Sequence, residues 1–131
     1  DNETKAIGMS DSAKQVILHL AGNKKVIGTK MPTEVSKGLF ATSKIPRITD
    51  FEDVESSFFI DENCRKPDTF PDDQAMFFDS PKGLIVLLGC AHAGVVNTLH
   101  YVEKLASCWK VFSIKADNHL TSRRTSNMAF L

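Results

Sequence analysis

Cysteine is scarce in this sequence, and its spacing is unremarkable for pairing. The three cysteines are Cys64, Cys90 and Cys108, with no Cys-x-x-Cys arrangement among them. An odd number without that spacing argues against a disulfide framework, and a reducing, cytoplasmic setting is the expectation. Net charge is absent as well: 16 lysines and arginines balance 16 aspartates and glutamates. A neutral chain has no broad field to draw nucleic acid or an anionic membrane, so neither is expected as a partner. No apolar run approaches the roughly 20 residues that span a bilayer. The opening stretch, 1–9, is polar and has neither the basic end nor the apolar centre of a signal peptide. It starts at Asp1 rather than at a methionine, which reads as a processed or truncated product. Neither an internal repeat nor a low-complexity segment is present.

Hydrophobic residues make up 42% of the 131, which is a folding composition. The length suits one small domain, taken as 1–131. Ser10 to Leu20 reads as a helix, because Ala13, Val16, Ile17 and Leu20 recur at i, i+3, i+4 and i+7. Ser12 and Gln15 have capping-box spacing, and Gly22 suits the stop. Lys25 to Lys30 and Val35 to Ala41 are short strand candidates on either side of Pro32. Ser43 to Ser57 reads as irregular, Phe58 to Ile60 as a brief strand, and Asp61 to Asp73 as loop.

The clearest pattern runs from Gln74 to Ala116. Gln74 to Phe78 reads as a strand and Asp79 to Gly83 as a five-residue hairpin turn. Leu84 to Leu88 is a continuous apolar run, as a strand buried on both faces would be. Gly89-Cys90-Ala91-His92-Ala93-Gly94 is a turn of small residues. A helix follows, with Val95, Leu99, Val102 and Ala106 at helical spacing, and Lys110 to Ala116 returns as a strand. Strand, helix, strand implies an α/β layer.

Chemistry is most concentrated at Gly89 to Gly94. Ligands gather at the C-terminal ends of such strands, and a helix N-terminus favours anions, thiolate included. Three readings stay open there. His92 or Cys90 binds a divalent metal such as zinc; Cys90 is a nucleophile with His92 as its base; or both are ordinary turn residues. A phosphate-loop reading is weak, because no Lys-Ser/Thr pair follows the second glycine. His119 follows the last strand, so it reaches the same sheet edge as His92 if the two strands run parallel. Two histidines alone leave a catalytic zinc site short of the three protein ligands it takes. His19 and His100 read as structural, and Trp109 and Phe112 as core. The paired carboxylates Asp72 and Asp73 could bind a metal or share a proton, but read first as loop residues before a strand. Arg47 has the fork that holds anionic groups, though a solvated arginine is the default.

Three segments carry a resemblance. They are Ile45-Pro46-Arg47-Ile48-Thr49-Asp50-Phe51-Glu52, then Asp72-Asp73-Gln74-Ala75, then Lys82-Gly83-Leu84 through Gly89-Cys90-Ala91-His92-Ala93-Gly94-Val95-Val96-Asn97-Thr98-Leu99. In this order the chain resembles the metallo-β-lactamase-superfamily hydrolases related to the dihydropterin ribofuranosylaminobenzene phosphate synthase-like proteins. The match runs from about Lys5 to Leu120, and Gly89 to Leu99 is its specific part. The resemblance implies a mixed α/β fold, the C-terminal half of an αββα sandwich with a mixed sheet and flanking helices. It also implies a divalent metal, zinc by preference, and a small-molecule substrate. His92 matches the histidine of the family's Gly-Cys-Ala-His turn. Cys90 stands where relatives place a bridging aspartate or a cysteine. His119-Leu120 resembles a late Gly-Gly-x-His-Leu element.

The departures are specific. The family's His-x-His-x-Asp-His cluster has no counterpart, since the sequence contains no His-x-His. Ala116, Asp117 and Asn118 replace the glycines before the late histidine, and Lys44 replaces the acidic residue before Ile-Pro-Arg. The expectation is a fragment of a hydrolase with an incomplete metal site and little activity alone, partnered by a missing N-terminal half or by a second copy of itself. The alternatives are a non-catalytic, self-pairing half-domain and a Cys90-dependent enzyme.

Overall fold

The computed structural model describes residues 8–26, 28–52, 58–107 and 110–116. The chain divides into two compact units, 1–28 with 56–68, and 29–55 with 69–131.

The first unit contains helix α1, Asp11–Gly22. Its N-terminus is closed by Ser10, whose hydroxyl accepts from the Ala13 amide at 3.3 Å. The cap is thus the serine before Asp11 rather than the Ser12 and Gln15 pair. Gly22 is the last helical residue, and Asn23 caps the end through its backbone amide. Asp11 in the first turn suits the helix dipole and also pairs with Lys14 at 3.0 Å. The apolar stripe gives the helix its period, yet none of its residues is buried: Val16, Ile17 and Leu18 are 57%, 39% and 63% exposed. Further along this unit, Phe59 forms an isolated antiparallel bridge with Pro67, at the brief strand expected over Phe58 to Ile60.

The second unit is a five-stranded sheet with one helix among its described residues. Its elements are β1 Thr33–Ser36, β2 Leu39–Ala41, β3 Ala75–Ser80, β4 Gly83–Leu88, α2 Val95–Ala106 and β5 Val111–Lys115. The spatial order follows the chain, β1 to β5; the first four strands run antiparallel, and β5 runs parallel to β4. The parallel pair arises because α2 carries the chain back across the sheet.

Three expectations change at the strand boundaries. Val35 to Ala41 is not one strand but the hairpin of β1 and β2, turned at Lys37-Gly38, where Gly38 has φ +76°. That left-handed backbone is readily open to glycine. No strand forms at Lys25, Val26 or Gly28 to Lys30. The β3–β4 connection is tighter than five residues: only Pro81 and Lys82 lie between Ser80 and Gly83, which are paired.

Residues directly opposite in neighbouring strands share a face of the sheet. Phe40, Phe77 and Val86 lie on one face with Ile114, and there the Phe40 and Phe77 rings stack at 5.4 Å. This face packs against Val95, Leu99, Val102 and Leu105 of α2 to make the core, where Val86 and Val102 are completely buried. The opposite face carries Leu39, Met76, Phe78, Ile85 and Leu87, all half-buried. Phe112, expected in the core, is instead exposed, with the Lys82 ammonium 5.5 Å above its ring. Trp109 lies outside the described residues. No helix among the described residues is long and apolar enough to cross a membrane.

Candidate functional site

The small-residue turn leaves β4 at Leu88 and enters α2 at Val95, so it stands at the C-terminal end of a central strand. Its shape is set by backbone that few residues adopt. Ala91 has φ +50° and Gly94 φ +98°, and the Gly94 amide donates back to the Ala91 carbonyl at 2.9 Å. An alanine in the left-handed region costs about 1 kcal/mol, so neighbouring contacts must hold it there.

Those contacts come from far along the chain. Asp73 accepts from the Ala93 amide at 2.7 Å. Glu52 spreads its carboxylate over the open end of α2, one oxygen accepting from the Val96 amide and the other from the Asn97 amide, each at 2.8 Å. The Thr49 hydroxyl donates to the same carboxylate at 3.3 Å. Gly94, the N-cap residue, offers no side chain to its own helix, and the first turn of α2 has no acidic residue. Glu52 supplies both the missing cap and the missing negative charge. It needs the glycine: a β-carbon at position 94 would lie 2.3 Å from the Glu52 carboxyl.

Asn97 completes the clamp. It is fully buried, and its side-chain oxygen accepts from the Ile48 and Thr49 amides at 2.8 and 3.0 Å. Its side-chain nitrogen donates to the Ala93 carbonyl at 2.8 Å. The segment Ile45 to Glu52 is thereby fastened to the helix start, and the sequence Asp72-Asp73 to the turn. The three separate segments of the resemblance are one assembly.

Cys90 is exposed on this turn as a free thiol. His92 is half-buried, its imidazole stacked on Phe70 with ring centres 3.8 Å apart and planes within 5°. His119 lies outside the described residues, as does Cys108. β5 does run parallel to β4, so its C-terminal end and the turn share one edge of the sheet. Among the described residues, no group of three or more His, Cys, Asp or Glu is placed to hold a metal ion. The helix N-terminus, expected to favour an external anion or a thiolate, is already filled by Glu52.

Glu52 and Asn97 are not singled out by sequence reasoning as site residues. One signal pointed to the first: a helix that begins with glycine and has no acid in its first turn must take its cap from elsewhere. Asp73 reads as a loop carboxylate, and only the fold brings it to Ala93.

No family model matches the chain. Over 100 residues it is 26% identical to the uncharacterized protein MJ0448 of Methanocaldococcus jannaschii, covering 76% of this chain and 36% of that protein. In structure it is similar to Tm1679, a metal-dependent hydrolase of the β-lactamase superfamily, with a TM-score of 0.51 and 19% identity. That match covers 76% of this chain and 38% of the other. The likeness is one of fold. The chain spans little more than a third of either protein's length.

Proposed function

We propose that this chain is the C-terminal half of a metal-dependent hydrolase of the dihydropterin ribofuranosylaminobenzene phosphate synthase-like group, acting on a small molecule in the cytoplasm. In this reading 1–131 is one functional half. Cys90, His92 and His119 are its contribution to a metal site completed by residues outside the chain, and alone it has little activity. The observation that carries the reading is the clamped Gly89–Gly94 turn at the C-terminal end of β4, on a fold shared with a metal-dependent hydrolase. Cysteine and histidine are donor types that zinc takes, which makes zinc the metal of choice. The described residues do not by themselves fit a metal.

A second reading is self-pairing without catalysis, favoured by the apolar sheet face of Leu39, Met76, Phe78, Ile85 and Leu87. Such a face needs a second layer, either the missing half or another copy of the chain. A third is thiol chemistry at the exposed Cys90.

Native mass and zinc content of the chain, purified without chelator, test these readings together. The hydrolase-half reading expects less than one zinc per chain, lost on desalting. Weak cobalt binding should show a thiolate-to-metal band that Cys90→Ser removes and His92→Ala weakens. Tightly held zinc at one ion or more per chain would overturn the incomplete site. A monomer across the micromolar range would end the self-pairing reading, and a Cys90 thiol no more reactive than a free one would end the third.

A further inference from the structure

A cavity of about 390 Å³ lies beside the turn, lined by Lys44, Ile45, Pro46, Arg47, Thr69 and Phe70. Phe70 is the ring that stacks on His92, so the cavity adjoins the candidate site. Two of the six lining residues are cations, and none is acidic. Among the described residues Arg47 is held there by one long hydrogen bond, from Nη2 to the Thr69 carbonyl at 3.3 Å. Its Nη1 is buried and has no hydrogen-bond partner among the described residues. A buried nitrogen of a charged group left unpaired is expensive, and such exceptions call for an explanation. Turning the guanidinium toward an oxyanion in the cavity would give Nη1 a partner at the loss of one long bond at most.

We propose that this cavity is an oxyanion-binding subsite, in which the Arg47 fork grips a phosphate or carboxylate group and Lys44 adds its charge from the rim. A guanidinium presents paired donors that match the two oxygens of either group. The cavity is larger than an inorganic ion needs and falls in the range of small-molecule sites. Ile45, Pro46 and Phe70 line it with apolar surface, which suits the organic part of a small phosphorylated or carboxylated molecule. Lys44, out of place beside a metal, has a role beside an anion. The inference needs no metal and stands apart from the hydrolase reading.

The test is a titration of the isotopically labelled 131-residue chain, metal-free, with inorganic phosphate and separately with acetate. Chloride holds the ionic strength constant, and the readout is the Arg47 side-chain Nε–H with the Thr69 and Phe70 amides. Saturable shifts confined to these groups are expected with at least one of the two anions. Saturation by phosphate alone, by acetate alone or by both tells which group the site takes. Arg47→Gln should weaken binding about tenfold or more, the range of a charge-assisted hydrogen bond. Lys44→Glu reverses a charge at an exposed position and should weaken it at least about fivefold while leaving the remaining spectrum unchanged, which keeps the test decisive if Arg47→Gln does not fold. Linear, unsaturable shifts with both anions, or affinity unchanged in Lys44→Glu, would overturn the proposal.

Discussion

The two helices have the same length, 12 residues, and opposite means of support. Helix α1 is closed by its neighbour Ser10, carries its own acid in the first turn, and forms an ion pair between Asp11 and Lys14. None of its residues is buried. Helix α2 has a glycine at its N-cap and no acid in its first turn, yet buries Asn97, Thr98 and Val102. Its cap comes from Glu52, and it returns the favour through Asn97, which holds the Ile48 and Thr49 amides. Isolated helices of this length are marginal in water. One helix is thus written by local signals and the other by tertiary contacts, and the candidate site stands on the second.

The largest effect should come from the residue with the most buried bonds. Asn97→Ala strands the Ile48 and Thr49 amides and is expected to destabilise the chain by about 4 kcal/mol, read from urea unfolding followed by circular dichroism. Glu52→Ala removes the cap of α2 and should cost about 3 kcal/mol, with amide exchange quickening at Val96 and Asn97 ahead of the β-strands. Were the loss confined to a few tenths, α2 would be self-supporting and the contrast with α1 would fail.

Smaller effects belong to α1. Ser10→Ala should cost about 1 kcal/mol, seen as fraying of α1 in amide exchange with little shift of the main unfolding transition. Leu18→Gln, at an exposed position, should stay within about 0.5 kcal/mol of the parent. A loss near 2 kcal/mol there would mean that α1 buries its apolar side in solution, and would make the two helices alike.

How much was legible follows the same division. The α1 period, the apolar run of β4, the small-residue turn and the α2 stripe are local patterns, and each became an element close to where it was expected. Phe112 went astray because it is the extra residue of a β-bulge: Leu84 pairs with Val111 and Ile85 with Ser113, so Val111 and Ile114 meet the core and Phe112 turns out to solvent. The strand candidate Val35 to Ala41 split because Gly38 lets the backbone reverse within it.

By itself the sequence determined the succession of β3, β4, α2 and β5 and the place of the turn bearing Cys90 and His92. Those are properties of residues within a few positions of each other. Only the tertiary structure decided that Glu52 fills the helix N-terminus, that Asp73 holds the Ala93 amide, that Asn97 holds the Ile48 and Thr49 amides, and that Arg47 and Lys44 line one cavity with Phe70. The hydrogen bonds among them join residues 20 to 49 positions apart, and no local period records a bond made across such a distance.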